Sequence, residues 1–418
     1  MHKLKKRRKT MKLSKRILAL ALAVVMALSA FALASCSDKN YAENNTKIKI
    51  GMTGPLTGGA AIYGIAVRNS ATLAVEEINA AGGLKVGDQS ILFEFEMIDD
   101  KHDKDNVAPA YATLYEGGMQ ISLGTVTTKP GLEYKVLSQE DNVFFLTPSA
   151  TADGIPEFSN GYQMCFADSK QGGASAKYFN ENYQGKVIGI FYKSDDDYSK
   201  GIYEQFMANI DTTKITVDPT NIKSFTEETS TSFTQQVTDL ADCDVIFMPT
   251  YYDPASLFMK QGVGVIKSDA VYFGCDGFDG IDAIEGFDIA AIPQEVSMLT
   301  HFVSTATTGP AAEFIAKYNA RFDSTKEPVN QFGASAYDCV YAIYEALKAA
   351  VANGTEVSAN MSPSEFCDIL TGVFNSDTFE FYGITGDTTG GQKCKITWAA
   401  DGTVEKSAMR FPIKEKNS

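Results

Sequence analysis

The residues of this sequence that could do chemistry are hydroxyl, phenol and carboxyl groups that follow short apolar segments. They are Thr53, Thr57, Tyr63, Thr125, Thr127, Thr128, Ser149, Thr151, Tyr198, Tyr251, Tyr252 and Asp276. Hydroxyls and free backbone N–H groups at helix starts suit a carboxylate. A single buried acid suits an ammonium, and aromatic side chains suit an aliphatic or aromatic body. Together these residues predict a site for a free α-amino acid.

Each of these features also has an ordinary structural explanation. A Ser or Thr before a helix is more often an N-cap, and a Tyr after a strand more often packs than binds. Asp276 stands beside Gly277, so it could be a turn residue. The loop at residues 54–59 lacks the Gly-Lys-Ser/Thr ending of a phosphate loop, which argues against a nucleotide site.

The elements that must position these residues alternate between strands and helices. Residues 47–52 predict a strand, residues 54–59 a tight glycine-rich loop, and the residues from Ala66 a helix that ends at Gly82-Gly83. Further strands are predicted at 91–99, 120–124, 143–146, 186–192, 244–248, 271–274 and 295–302, helices at 172–182, 198–210, 233–240 and 334–352, and short β segments at 379–412. The alternation predicts an α/β fold with parallel sheets, which bind ligands at the carboxyl ends of their strands.

The N-terminal segment predicts export and a lipid anchor. Nine Lys and Arg residues precede an apolar run at residues 17–33, and the run leads to Leu33-Ala34-Ser35-Cys36. This is the pattern of a cleaved secretory signal, with Met11 as a second possible start. The alternative is a retained membrane anchor of borderline length. The motif resembles the bacterial lipoprotein box, which implies that Cys36 becomes the lipidated first residue of an extracytoplasmic protein.

Charge and cysteine content exclude several classes of partner. Without residues 1–35 the chain has 383 residues and a net charge of −24, because that segment holds nine of its basic residues and none of its acidic ones. Such a protein is a poor partner for nucleic acid or an anionic membrane surface, and its length predicts two lobes. Six cysteines follow Cys36 without C-x-x-C spacing, which predicts no metal site and at most one disulfide.

Little in the sequence indicates catalysis. His2 lies in the signal, and His102 and His301 have no nucleophile pattern nearby. Neither G-x-S-x-G nor H-E-x-x-H occurs. The acidic run at residues 195–197 could bind calcium, but it lacks the spaced oxygen ligands of a known loop, so a solvated turn is predicted. The sequence therefore predicts a binding protein without a cofactor, not an enzyme.

Five segments resemble those of the leucine/isoleucine/valine-binding proteins of ABC importers. They are IKIGMTGPLTGG at Ile48, AVEEINAAGG at Ala74, LTPSAT at Leu146, YYDP at Tyr251 and FGCDG at Phe273. The resemblance implies a type I periplasmic-binding-protein fold, in which two α/β lobes joined by a three-strand hinge close on an amino acid. It also implies a monomer that delivers its ligand to a permease and ATPase complex in the membrane.

The same resemblance implies the roles of individual residues. The ligand-binding positions would be Tyr63, Thr125, Ser149, Ala150, Thr151, Tyr198, Tyr251, Tyr252 and Asp276. Thr125 and Thr151, with the backbone at 149 or 150, would hold the carboxylate, and Asp276 would hold the ammonium. The tyrosines would line the part of the site that holds the ligand's side chain, and either Tyr251 or Tyr252 would face that side chain. A disulfide that some relatives have would fall near His102 and Gly124, so that bridge is absent here.

We therefore expect a signal peptide at 1–35 and a tether at 36–46. The first lobe would comprise residues 47–167 and 298–382, and the second lobe residues 168–297 and 383–414. The branched-chain amino acids are the first candidate ligands, while phenylalanine, amides and other small molecules remain open. A ligand sensor of the same fold, coupled to a membrane receptor, is the alternative function, and an enzyme is a third.

Overall fold

The computed structural model describes residues 45–388 and 390–415. The predicted signal peptide, the lipidation site Cys36 and most of the predicted tether lie outside the described residues. None of the helices within the described ranges combines the length and the hydrophobicity that a membrane span needs.

Strands and helices alternate along most of the chain, as the sequence predicts. The strands are β1 (Ile48–Gly54), β2 (Leu84–Val86), β3 (Gln89–Ile91), β4 (Phe93–Asp99), β5 (Ile121–Ser122), β6 (Phe145–Thr147), β7 (Gly161–Gln163), β8 (Ile188–Lys193), β9 (Ile222–Phe225), β10 (Val245–Met248), β11 (Val271–Gly274), β12 (Glu295–Thr300), β13 (Phe381–Gly383), β14 (Cys394–Trp398), β15 (Val404–Glu405) and β16 (Met409–Lys414). The α-helices are α1 (Ala61–Ala80), α2 (Val107–Glu116), α3 (Thr128–Glu140), α4 (Asp168–Asn182), α5 (Asp197–Asn209), α6 (Thr234–Asp239), α7 (Tyr252–Gly262), α8 (Gly309–Arg321), α9 (Gln331–Ala352) and α10 (Pro363–Phe374).

Two larger sheets organise these elements. The first sheet is parallel throughout, in the order β4–β1–β5–β6–β7. The second has the order β16–β12–β11–β10–β8–β9, and only its edge strand β16 is antiparallel. A three-stranded sheet, β13–β14–β15, and the hairpin β2–β3 complete the pairing. The predicted α/β fold with parallel sheets flanked by helices is confirmed.

The C-terminal helices return to the first sheet. Helix α9 packs along α1, and α10 packs beside α9 and β5. The chain therefore crosses from one large sheet and its helices to the other three times. The crossings lie after β7, after β12 and before β16. The lobe boundaries that the sequence indicates stay a prediction.

Helix α1 begins five residues before the predicted start at Ala66, and this difference matters for the site. The apolar face runs back to the first turn, where Tyr63 is buried. At Gly64, a Cβ atom would collide with the carbonyl oxygen of Pro55, so the helix can approach the preceding loop only because this residue is glycine. The close approach places Tyr63 beside the carboxyl end of β1.

Candidate ligand-binding site

A small cavity lies where the loops that follow both parallel sheets meet. Its lining residues are Tyr63, Val126, Thr127, Ser149, Thr151, Tyr198, Tyr251, Asp276, Gly277 and Phe332. The first half of this set follows β1, β5 and β6, and the second half, up to Gly277, follows β8, β10 and β11. The cavity is therefore placed at strand carboxyl ends, where parallel α/β sheets bind ligands.

Six of the nine predicted ligand-binding residues line this cavity. They are Tyr63, Ser149, Thr151, Tyr198, Tyr251 and Asp276. The structure places the other three elsewhere. The hydroxyl of Thr125 donates to Asp100 Oδ2 at 2.9 Å, and Ala150 is buried in a core cluster of the first sheet. The Tyr252 ring packs edge-on against Tyr63, with ring centroids 4.7 Å apart.

Four lining residues were not among the predicted set. Val126 and Thr127 belong to the loop after β5 whose hydroxyls the sequence singled out, and Gly277 directly follows Asp276. Phe332 is different, because it lies in the first turn of α9, far along the chain from the other lining residues. No local pattern marks this phenylalanine as a site residue.

The second-sheet end of the cavity is acidic. Asp276 is buried, and its Oδ1 accepts a hydrogen bond from the Tyr198 hydroxyl at 2.6 Å. Burial raises the pKa of Asp276 to about 7, although the hydrogen bonds from Tyr198 and Gln171 partly oppose this rise. The Gly277 N–H donates to the Tyr198 hydroxyl oxygen at 2.9 Å. A Cβ at Gly277 would clash with that same oxygen, so this position requires glycine.

A second buried acid, Asp168, lies at the start of α4 near this end. Its backbone N–H donates to the carbonyl of Thr151 at 2.8 Å. Burial raises the pKa of Asp168 well above its usual value, and the charge of Asp276 raises it further. Two nearby buried carboxyls resist simultaneous ionisation. This end of the cavity therefore suits a single ammonium group.

Aromatic rings make up much of the cavity lining. Tyr198 and Tyr251 are stacked, with centroids 4.5 Å apart and an interplanar angle of 12°. Tyr63 packs edge-on against Phe332 at 5.0 Å, and its hydroxyl donates to the carbonyl of Gly277 at 2.6 Å. These rings offer apolar surface to a ligand body, and the Tyr63 hydrogen bond joins the two sides of the cavity.

The first-sheet end offers backbone donors. Helix α3 begins at Thr128, and its N-cap Thr127 makes no side-chain capping bond. The first N–H groups of a helix have no intrahelical partner and attract anions. In contrast, the N–H groups of Ser149 and Ala150 point to Thr147 Oγ1, at 3.4 and 3.2 Å. The start of α3 is therefore better placed than the 149–150 backbone to receive a carboxylate.

Other residues with possible chemistry have structural roles. Within residues 45–388 and 390–415, no group of three or more His, Cys, Asp and Glu side chains could hold a metal ion. The six cysteines of these ranges are free thiols. In the acidic run, Asp196 caps α5 by accepting from the Ser199 N–H at 3.0 Å, and Asp195 accepts from the Glu227 N–H at 3.0 Å.

Comparisons with known proteins give the following similarities. The sequence profile of a family described as "Periplasmic binding protein" matches residues 47–375. The Leu/Ile/Val-binding protein BraC3 of Rhizobium johnstonii is 27% identical over 354 residues, which cover 80% of this chain and 91% of that protein. The leucine-, isoleucine-, valine-, threonine-, and alanine-binding protein of Pseudomonas aeruginosa is 27% identical over 366 residues, covering 84% of this chain and 87% of that protein. Among solved structures, the branched-chain amino acid transporter substrate binding protein LivJ of Streptococcus pneumoniae, in complex with isoleucine, matches with a TM-score of 0.70 and 26% identity, covering 87% of this chain and 95% of LivJ.

Proposed function

Because the chain belongs to the periplasmic binding protein family and has its type I fold, we propose that it is the solute-binding protein of an ABC importer. It binds one amino acid between two closing lobes and delivers it to a permease and ATPase complex. By the same proposal it is a monomer held at the outer face of the cell membrane by a lipid on Cys36. Closure is a population shift that ligand contacts to both lobes drive.

One observation carries the amino-acid assignment. Thr127, the N-cap at the uncapped start of α3, and the buried carboxyl of Asp276 both line one cavity, on its first-sheet and second-sheet sides, and aromatic rings line the rest of it. A carboxylate is stabilised at a helix N-terminus, and a buried carboxylate is stabilised by an ammonium. An α-amino acid carries both charged groups on one carbon, so a single small ligand satisfies both ends.

The lining of the cavity suits an apolar side chain. Tyr63, Tyr251 and Phe332 supply apolar walls on several sides. The relatives that are named for leucine, isoleucine and valine, and the isoleucine complex of LivJ, support the branched-chain amino acids as the first candidates.

A thermal-shift screen of the twenty protein amino acids tests the ligand class. A ligand that binds only the folded state at 100 times its Kd stabilises that state by about 2.7 kcal/mol. We expect leucine, isoleucine or valine to raise the Tm of the purified protein, and their methyl esters, which lack the carboxylate, to have no effect. If no free amino acid raises the Tm, the amino-acid assignment fails.

A transport assay tests the role in import. Cells that lack the protein should lose uptake of the radiolabelled amino acid that the screen identifies, and the wild-type protein should restore it. The Cys36→Ala variant should restore it poorly, because it would not stay at the membrane. Normal uptake in cells without the protein would contradict import and favour a sensor.

A further inference from the structure

His102 is not part of the cavity lining, yet it contacts two residues that are. Its Nδ1 lies 2.8 Å from the hydroxyl oxygen of Thr127, which follows β5 of the first sheet. Its ring also meets Tyr251 edge-on, with centroids 5.3 Å apart and an interplanar angle of 85°. Tyr251 follows β10 of the second sheet, so the imidazole contacts residues that follow both sheets.

The backbone around His102 adopts an unfavourable conformation to place this ring. Lys101 and His102 have φ angles of 57° and 61°, a left-handed region that costs an L-residue roughly 1–2 kcal/mol. The two preceding acids hold the loop, because Asp99 Oδ1 accepts from the Lys101 N–H and Asp100 Oδ1 accepts from the His102 N–H, both at 2.9 Å. Such conformations persist where the surrounding structure over-determines them, and they cluster at functional sites.

The same loop is tied directly to the segment that carries Thr127. The second oxygen of Asp100, Oδ2, accepts the hydroxyl hydrogen of Thr125 at 2.9 Å. Asp100 therefore fixes the His102 backbone through one oxygen and the loop after β5 through the other. The distance between the imidazole and the Thr127 hydroxyl is thus held from both sides.

The imidazole decides which way the Thr127 hydroxyl hydrogen points. Burial lowers the pKa of His102 to about 4, so the ring is neutral at pH 7 and has one N–H donor. If Nδ1 carries the proton, Thr127 accepts it and keeps its own hydrogen for a ligand. If Nδ1 is bare, the Thr127 hydrogen points at the ring. Ser149, the neighbouring lining hydroxyl, already donates to the carbonyl of Val126 at 2.6 Å.

We propose that His102 is a positioning residue whose Nδ1–H donates to Thr127 and thereby directs the Thr127 hydroxyl hydrogen toward the carboxylate of the bound ligand. The proposal rests on the proposed function, since it requires a carboxylate at the first-sheet end of the cavity. It adds one neutral donor to the backbone donors at the start of α3. His102 itself does not touch the ligand.

Three single variants separate the hydrogen bond from the shape of the ring. His102→Phe keeps a ring against Tyr251 and removes the hydrogen bond. His102→Asn is the matched control, because Asn can place an N–H donor near the position of Nδ1 and tolerates a left-handed backbone. Thr127→Val keeps the branched shape and removes the hydroxyl. Far-ultraviolet circular dichroism and thermal unfolding establish that each variant is folded.

Calorimetric titrations use L-isoleucine and benzoate, which has the carboxylate but no ammonium. His102→Phe should weaken the binding of both probes by about 2- to 13-fold, the range for one net hydrogen bond, while His102→Asn stays nearer to wild type. Thr127→Val should weaken the binding of both probes by roughly 10- to 150-fold, because the hydrogen bond that the Thr127 hydroxyl donates goes to a charged carboxylate. The double variant His102→Phe/Thr127→Val should bind no more weakly than Thr127→Val. Losses that multiply in the double variant would overturn the proposal.

A second measurement needs neither a variant nor a bound ligand. The ¹⁵N chemical shifts of the His102 ring report which nitrogen carries the proton, and we expect the Nδ1–H tautomer before and after addition of isoleucine. A ring protonated on Nε2 with a bare Nδ1 would refute the proposal. If neither probe nor any amino acid of the thermal-shift screen binds the wild-type protein, the proposed function fails, and the tautomer of the free protein still decides the role of His102.

Discussion

Replacing Asp276 with Asn should remove the charge that we propose binds the ligand's ammonium group, and it should leave the shape of the cavity unchanged. Asp276 is 1% exposed and accepts the Tyr198 hydroxyl at 2.6 Å, a contact that an amide oxygen can also accept. Loss of one partner of a buried charge pair costs about 2–5 kcal/mol. We therefore expect the Kd for L-isoleucine to rise about 30- to several-thousand-fold at pH 8.

The pH dependence of ligand affinity distinguishes loss of the Asp276 charge from a general loss of fold. In the free protein the pKa of Asp276 is about 7, so below pH 7 an ammonium ligand must displace a proton. The affinity of the wild-type protein should fall by about tenfold per pH unit below 7, while that of Asp276→Asn should not change for this reason. The difference between the two proteins should shrink as the pH falls.

In the unliganded protein, the raised pKa of Asp276 should make the free energy of unfolding depend on pH. Because folding raises the pKa of Asp276 from 3.8 to about 7, the folded state binds more protons than the unfolded state between these values. The contribution of Asp276 to stability is therefore greatest below pH 3.8 and falls as the pH rises to 7. Without ligand, Asp276→Asn should be more stable than wild type at pH 8.

Isothermal titration calorimetry with L-isoleucine between pH 6 and 8, and urea unfolding without ligand, measure these quantities. Tyr198→Phe is a useful control, because it removes the hydrogen bond to Asp276 and leaves the carboxyl in place. Near-normal affinity of a folded Asp276→Asn at pH 8, or an affinity of the wild-type protein that does not fall below pH 7, would refute the reasoning.

Four further predictions concern other positions. Tyr63→Phe removes the hydroxyl that donates to a backbone carbonyl across the cavity, so calorimetry should show about 2- to 13-fold weaker isoleucine binding; unchanged affinity would show that this bond does not favour closure. Phe332→Ala should lower the affinity for isoleucine more than that for phenylalanine, because it enlarges the cavity. Thr125→Val should lower the free energy of unfolding by about 1–3 kcal/mol in urea titrations, since Asp100 loses a buried donor. Cys36→Ala should abolish incorporation of labelled fatty acid and move the protein to the aqueous phase, and a variant that stays in the membrane would indicate a retained helix.

The α/β fold could be predicted because its signals are local. The change from alternating residues at 47–52 to a helical repeat by Ala66 marks β1 and α1, and each later strand ends in a polar loop. Strands β7 and β9 gave no such signal. They have three and four residues and no continuous apolar run, and they owe their pairing to neighbouring strands. Helices α1, α4 and α9 begin three to five residues before their predicted starts, because the first turn of a helix carries little periodicity.

The sequence by itself determined which loops line the cavity, because parallel strands bring their carboxyl ends to one edge wherever the sheet forms. Tyr63, Tyr198 and Asp276 follow from that rule. Only the tertiary structure decided which hydroxyl of the loop after β5 lines the cavity. The Thr125 hydroxyl donates to Asp100 instead, and Thr127 is the residue that lines the cavity. Likewise, packing of α9 along α1 brings in Phe332, a contact between distant segments that no local pattern records.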